Sequence, residues 1–184
     1  MSKKLLFQFD TDVTPSVFDT VVAYDGGVDH VTGISNVTPE NVLAMVDGCI
    51  YTRPPKEKQF TGIFVGGSSL YEGQMVFDSV KNRFFSNFRV SVMFDSNGSN
   101  TTAAAAVANI ARVCELHGKK VVILGGTGPV GQRAAALFAS EGAEVFITSR
   151  SIEKAEKVSN QVNTRFSTTC GALPGETHQD RVSS

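Results

Sequence analysis

A strand–turn–helix–strand unit in the second half of the chain constrains the fold more than any other feature. Residues 119–148 read "KKVVILGGTGPVGQRAAALFASEGAEVFIT", in which a β-rich apolar run leads into a glycine-rich turn. Gly126, Gly128 and Gly131 have G-x-G-x-x-G spacing. The first glycine permits a tight turn, the second lets the backbone approach a pyrophosphate, and the third allows close helix–strand packing. The unit predicts half of a Rossmann dinucleotide-binding fold, and a purely structural βαβ turn is the alternative.

The turn and the end of the second strand supply the candidate cofactor-binding residues. The helix begins near Pro129, so its amide end faces the phosphates. The strand ends in Thr148, Ser149 and Arg150, where an NAD site has an acidic residue, and cations suit the 2′-phosphate of NADP. The alternative is that Arg150 and Lys154 are solvated charges. The sequence therefore predicts NADP as the cofactor, bound by Gly126, Thr127, Gly128, Pro129, Val130, Gly131, Ser149, Arg150 and Lys154.

Apolar runs alternate with helix-like segments in the rest of the chain. Strands are predicted at 4–9, 60–67 and 88–94, and residues 53–59 are predicted as a surface loop. Helices are predicted from a Thr14 cap with Pro15 first, and at 38–48, 69–85 and 99–118. This alternation is typical of an α/β fold with a mostly parallel sheet. We expect an N-terminal α/β lobe over 1–98, a connecting helix over 99–118 and a partial Rossmann NADP-binding lobe over 119–184.

Charge and cysteine usage exclude several classes of partner. Seventeen basic and eighteen acidic side chains leave a net charge of −1, which argues against nucleic acid or a membrane surface as partner. The three cysteines have neither zinc-site nor disulfide spacing, so no metal is expected. Reduced thiols and the lack of a secretory signal predict a cytoplasmic protein.

Four segments together resemble one protein family. They are "KKLLFQFDTDVTPSVFDTVVAYDGGVDHVTG", "NVTPENV", "DSNGSNTTAAAAVA" and "GGTGPVGQRAA". Together these segments are similar to the bacterial NADP-dependent methylene-tetrahydromethanopterin dehydrogenases. The resemblance implies two α/β lobes, a homo-oligomer and oxidation of the methylene bridge of a tetrahydropterin one-carbon carrier to the methenyl form. Some family members also accept methylene-tetrahydrofolate.

Two stretches carry the candidate substrate contacts. In "PSVFD", Phe18 offers an aromatic surface and Asp19 a carboxylate that accepts from pterin N–H groups. Helix core is the alternative for Phe18, and a solvated helix charge is the alternative for Asp19. The stretch 95–102 lies between a strand end and a helix start, where ligands bind in open α/β sheets. Its candidates are Asp95, Asn97, Asn100, Thr101 and Thr102, and helix capping is the alternative role for one or two of them.

The chain departs from the family in length. Family members continue through more Rossmann strands, so we expect this chain to be part of a longer gene product. Related folate dehydrogenases have a lysine near the methylene carbon. The sequence does not assign that role to Lys3, Lys4 or Lys56, and the lysine can also lie beyond residue 184. Two other functions stay open: a different two-lobe NADP oxidoreductase of quinone or shikimate type, and a non-catalytic NADP-binding module.

Overall fold

The structure, a computed structural model, describes residues 2–175, and the chain divides between Asn97 and Gly98 into two compact units. Residues 176–184, which the sequence analysis placed in the cofactor lobe, lie outside the described residues. The first unit contains β1 (Leu5–Asp10), α1 (Val17–Asp25), β2 (His30–Ile34), α2 (Val42–Tyr51), β3 (Thr61–Gly66), α3 (Leu70–Arg83) and β4 (Ser91–Phe94). The second contains α4 (Ser99–Ala111), β5 (Lys120–Ile123), α5 (Pro129–Ser140), β6 (Glu144–Ser149), α6 (Ile152–Phe166) and β7 (Cys170–Pro174).

The first unit is a four-stranded parallel sheet of order β2-β1-β3-β4. The chain crosses from β1 to β2 on one side and from β3 to β4 on the other. Because such crossovers are right-handed, α1 lies on one face of the sheet and α3 on the opposite face. The apolar core lies on the α2 and α3 face, where Phe9, Ile63 and Val65 pack against both helices. No residue of α1 is buried.

The second unit is a three-stranded parallel sheet of order β5-β6-β7. Its core joins Val145 and Ile147 of β6 to Ala135 and Phe138 of α5. The helix α4, predicted as a connection between lobes, packs against α5 within this unit. The predicted α/β class with parallel sheets is confirmed.

Two predicted details of the first unit were wrong near α1 and β2. Ser16, not Thr14, caps α1, because its hydroxyl accepts the N–H of Asp19. Asp10 accepts the N–H of Ser16 and holds the preceding loop on the end of β1, so the helix begins after Pro15. The strand β2 was not predicted, since its apolar pattern is short and its order depends on pairing with β1.

Two other segments differ from their predictions. Residues 55–60, predicted as a surface loop, form a 3₁₀ turn in which Lys58 is buried and donates to the carbonyl of Asn87 at 3.3 Å. The alanine-rich helix ends at Ala111, well before Gly118. The chain turns there because Leu116 enters the core of the second unit, while Gly118 adopts a positive φ of 70°.

Candidate functional site

The carboxyl ends of β1 and β3 form the topological switch point of the first sheet. The chain leaves β1 toward α1 and leaves β3 toward α3, on opposite faces, and ligands of open α/β sheets bind in the crevice that this creates. Asp10 and Gly66 are register partners at these two strand ends. Asp95 follows β4 and donates its N–H to the carbonyl of Val65. The α1 face of this edge is therefore lined by acidic residues.

Two carboxylates lie beside Gly66 at this edge. A Cβ placed on Gly66 would lie 3.5 Å from Asp10 Oδ2 and 3.7 Å from Asp19 Oδ2, and only 3.0 Å from the ring of Phe64, so a side chain at this position would crowd both carboxylates and the ring. Burial raises the pKa of Asp19, and the negative charges of Asp10 and Asp95 raise that pKa further, although the Ser16 hydroxyl lowers it. The structure thus brings together two predicted substrate residues, Asp19 and Asp95, and adds Asp10 to them.

Asp10 is the residue of this cluster that the sequence analysis missed. Its side chain is buried and accepts the N–H of Asp12 at 2.9 Å and of Ser16 at 3.0 Å. The buried Gln8 donates to the carbonyl of Ser16 at 3.1 Å and accepts the hydroxyl of Thr20 at 2.8 Å. These contacts hold the first turn of α1 over the strand end. An acidic residue directly after a predicted strand was the available signal, as it was for Asp95.

Phe18 lies beside Asp19 in the first turn of α1. Its side chain is 76% exposed, so the alternative interpretation of Phe18 as helix core is wrong. Asp19 is half-buried, which argues against a merely solvated charge. An exposed ring next to a desolvated carboxylate is a suitable surface for a flat heterocycle with N–H donors. The substrate role of both residues stays a prediction.

The polar stretch 95–102 is divided between the two units. Asp95 is buried, and Asn97 has a left-handed backbone with φ of 54° and donates its N–H to the carbonyl of Gly67. Asn100, Thr101 and Thr102 lie in the first turn of α4, where the Thr101 hydroxyl donates to the carbonyl of Gly98. The helix cap is Gly98, which has no side chain to cap α4.

The candidate lysines lie at the wrong end of the first sheet. Lys3 and Lys4 precede β1, and Lys56 lies in the 3₁₀ turn before β3. Lys4 lies six residues before Asp10, and at a rise of about 3.3 Å per residue this places it roughly 20 Å away along the strand. None of the three therefore belongs to the carboxylate edge.

The glycine turn of the second unit has the close contacts that its spacing predicted. A Cβ on Gly126 would lie 2.7 Å from Ile123 Cγ2, and a Cβ on Gly131 would collide with the backbone of Gly126. Nothing lies within 4 Å of a Cβ on Gly128, so that position faces open space. The left-handed residue of the turn is Gly125, with φ of 63°, which the sequence analysis did not include. The adjacent glycine pair was the signal for it.

The start of α5 is open to an anion. Gly128 is the N-cap and makes no side-chain cap bond. Pro129 lies in the first turn, where the N–H that proline lacks would have no partner within the helix. Val130 is exposed, while the carbonyl of Thr127 accepts from the side chain of Gln132 at 2.9 Å. The free amides at such a helix start suit a phosphate.

The end of β6 is tied to the same turn. The Thr148 hydroxyl accepts the N–H of Gly125 at 3.1 Å, and the Thr148 carbonyl accepts the N–H of Gly126. Ser151 caps α6 by accepting the N–H of Lys154 at 3.2 Å. Arg150 and Lys154 are exposed and Ser149 is half-buried. The structure therefore brings the turn and the strand end together, and both cations reach solvent.

No other reactive cluster is found in residues 2–175. No group of three or more His, Cys, Asp or Glu side chains there is placed to hold a metal ion. All three cysteines are free, and burial raises the pKa of Cys49 to about 12. Within the same residues, no helix combines the length and apolar character that crossing a membrane requires.

Solved structures with a similar architecture define the class of fold. The 5-ketofructose reductase of Gluconobacter sp. strain CHM43 matches 95% of this chain and 63% of its own, with a TM-score of 0.54 and 21% identity. A shikimate dehydrogenase in complex with NADP+ matches 93% of this chain and 62% of its own, with a TM-score of 0.50 and 14% identity. The chain has the Rossmann-like α/β fold of NAD(P) reductases and dehydrogenases.

Sequence relatives narrow the class to one family. Residues 17–97 match the family described as methylene-tetrahydromethanopterin dehydrogenase, N-terminal. The bifunctional protein MdtA of Methylorubrum extorquens AM1 is 60% identical over 90% of this chain. The NAD(P)-dependent methylenetetrahydromethanopterin dehydrogenase of the same organism is 31% identical over 95% of it. The chain belongs to the methylene-tetrahydromethanopterin dehydrogenase family, and it spans 58% and 61% of the lengths of these relatives.

Proposed function

We propose that this chain carries the substrate and cofactor contacts of an NADP-dependent methylene-tetrahydromethanopterin dehydrogenase of one-carbon metabolism. The observation that carries the proposal is the presence, in one chain, of two complementary sites. The first unit has a carboxylate edge at its switch point, and the second has a glycine turn beside a cationic strand end. The carboxylate edge fits a tetrahydropterin carrier, and the glycine turn with the cationic strand end fits NADP.

The pterin contacts follow from the chemistry of the carboxylate edge. Asp19 and Asp95 accept hydrogen bonds from the amino and amide N–H groups of a pterin, and Phe18 covers a ring face. Gly66 keeps any side chain away from Asp10 and Asp19. Asn97 is a further candidate for a polar contact in the first unit, and Asn100, Thr101 and Thr102 are candidates in the second unit. Methylene-tetrahydrofolate, which has the same donors, is a second substrate.

The turn and strand end fit NADP. Gly128 leaves the backbone open to a pyrophosphate, and Arg150, Ser149 and Lys154 offer cations and a hydroxyl to the 2′-phosphate. When bound, NADP supplies the hydride acceptor. A methylene carbon between two nitrogens loses hydride with the help of a nitrogen lone pair, so no general base is required. The residues of this chain bind and orient the two ligands and exclude water.

Other properties are proposed on the same basis. The family resemblance implies a homo-oligomer, and α1 exposes Val17 and Val21, apolar area that a second subunit would cover. The three free thiols fit a reducing, cytoplasmic compartment. Neither nucleic acid nor a membrane is a proposed partner. Sedimentation of the purified chain tests the oligomeric state.

The test of the proposed activity follows NADPH formation by absorbance. The substrates are methylene-tetrahydromethanopterin, methylene-tetrahydrofolate and shikimate, and a separate assay follows NADPH consumption with a quinone. A chimera that adds the remaining C-terminal segment of MdtA serves as the longer comparison. Turnover of the methylene carriers alone is the expected result. Oxidation of shikimate or reduction of the quinone would favour a different two-lobe oxidoreductase, and NADP binding without turnover in either protein would favour a non-catalytic module.

Replacement of Arg150 by alanine is expected to weaken NADP binding by roughly 10–100-fold, because it removes a charge-assisted contact. Binding of NAD, which lacks the 2′-phosphate, is expected to change little. Isothermal titration with both nucleotides measures the two effects. The matched control is Lys157→Ala, which removes an exposed cation of α6 one turn beyond Lys154. Equal losses for NADP and NAD would show that Arg150 does not contact the phosphate.

Replacement of Asp19 by asparagine is expected to weaken pterin binding and to stabilise the first unit. Burial raises the pKa of Asp19, so the ionised form costs the folded state free energy. That cost is absent at acidic pH and grows as the pH rises through the folded pKa. The variant should therefore unfold at a higher temperature than the wild type near neutrality and at a similar one in acid. Asp25→Asn, at the exposed end of α1, is the control; a lower unfolding temperature for Asp19→Asn would contradict the prediction.

A further inference from the structure

The structure brings a carboxylate to the end of β6, although β6 itself ends without one. The Ser151 hydroxyl donates to Glu153 Oε2 at 3.0 Å and accepts the N–H of Lys154 at 3.2 Å. The N–H of Ser151 donates in turn to the hydroxyl of Ser149 at 3.4 Å. Glu153 is therefore connected by hydrogen bonds to the segment that reads the 2′ position of the cofactor.

This contact changes the electrostatics of that segment. Arg150 and Lys154 contribute two positive charges, and the exposed Glu153 cancels one of them. A 2′-phosphate dianion is attracted by the cations and repelled by the carboxylate. The single proton of the Ser151 hydroxyl is also committed to Glu153, so that hydroxyl has no proton to offer a phosphate oxygen.

The same carboxylate favours the nucleotide without the phosphate. A free ribose 2′-hydroxyl is a donor, and an acidic residue near the end of the second strand is what NAD sites use to accept from it. Glu153 supplies such an acceptor from the first turn of α6 instead of from the strand. The two cations thus favour NADP, and the carboxylate favours NAD.

We infer that Glu153 is a specificity-determining residue that moderates the preference for NADP and lets the site accept NAD. The inference rests on the proposed nucleotide function of the second unit and assigns a role to a residue that the proposal itself does not use. Arg150 and Lys154 select the phosphate, and Glu153 limits how strongly they do so.

The experiment replaces Glu153 by glutamine, which removes the charge but keeps an oxygen that accepts from Ser151. NADP binding to the full 184-residue chain is expected to tighten by about twofold to fivefold, the size of an exposed charge interaction. NAD binding is expected to weaken by about threefold, because a neutral oxygen is the poorer acceptor. Isothermal titration with each nucleotide gives the affinity ratio, which should rise by roughly tenfold.

Two controls separate this effect from general electrostatics. Glu156→Gln removes an equally exposed carboxylate from the same helix, and we expect it to leave the affinity ratio unchanged. In about 1 M salt, where the Debye length is about 3 Å, the NADP gain should shrink while the NAD loss persists. An unchanged ratio for Glu153→Gln, or the same change for Glu156→Gln, would overturn the inference alone. A wild-type chain that binds neither nucleotide would overturn the proposed function as well.

Discussion

Replacement of Gly128 by valine is expected to abolish dinucleotide binding while the second unit stays folded. Nothing lies within 4 Å of a Cβ at this position, and its φ of −80° and ψ of 173° are ordinary extended values that valine adopts readily. The Cβ of the new side chain therefore meets no protein atom. The branched side chain fills the space beside the first turn of α5, through which a pyrophosphate has to approach the backbone.

The expected loss is large because several contacts fail together. A displaced pyrophosphate loses two or more charge-assisted hydrogen bonds to amides, which corresponds to roughly a hundredfold or more in affinity. Titration calorimetry with NADP measures the loss, and circular dichroism measures the fold. Gly128→Ala, with a smaller side chain in the same space, should lose less affinity.

Gly131→Val, unlike Gly128→Val, is expected to disrupt the fold. A Cβ there collides with the backbone of Gly126, so this variant should lose the fold of the second unit as well as binding. Comparison of the two variants distinguishes a residue that leaves room for a ligand from one that leaves room for the protein. Binding by Gly128→Val within about threefold of the wild type would remove the nucleotide site from this turn.

Replacement of Asp10 by asparagine is expected to lower the free energy of unfolding of the first unit by about 2–5 kcal/mol. Asp10 is 1% exposed and accepts from two backbone N–H groups and, at 3.5 Å, from Gln8 Nε2. Asparagine keeps one acceptor oxygen and turns a donor toward the other partners. The loop before α1 then loses its attachment to β1. The pKa of Asp19 should fall as well, because the charge of Asp10 contributes to raising it.

The chain offers a specific probe for this measurement. It contains no tryptophan, and its three tyrosines, Tyr24, Tyr51 and Tyr71, all lie in the first unit. Tyrosine fluorescence in urea therefore reports on the unit that contains Asp10, while calorimetry of NADP binding reports on the other. Asp25→Asn is the exposed control. Unchanged tyrosine unfolding in Asp10→Asn would show that the carboxylate does not hold the loop.

Local patterns predicted most of the fold. The polar and apolar alternation in "LLFQFD" marks a strand with two different faces, and the glycine spacing marks the turn between β5 and α5. Both features depend on neighbours in sequence, which is why they were predicted correctly. The start of α1 was not, because the N–H of Ser16 is held by Asp10 across the loop. The end of α4 depends similarly on where Leu116 is buried.

The candidate site was predicted in part for the same reason. Asp19 was a candidate because of the "PSVFD" segment, and Asp95 because it lies between a strand end and a helix start. The role of Asp10 emerges only when the register of β1 and β3 places it opposite Gly66. Glu153 was not among the predicted cofactor residues, because an acidic residue was sought only at the end of β6. Its carboxylate lies in the next helix and accepts the hydroxyl of Ser151. The order of residues in the sequence does not show which side chains the fold brings close together.

The two hydrophobic cores share no residue: one is built from residues of the first unit and the other from residues of the second. Substitutions that repack one core therefore act on residues that have no partner in the other, and effects of this kind usually add. Under the proposed function, the preference for a one-carbon carrier and the preference for a nucleotide can therefore change separately during evolution. The nucleotide preference can shift without any change in the core beneath the carboxylate edge.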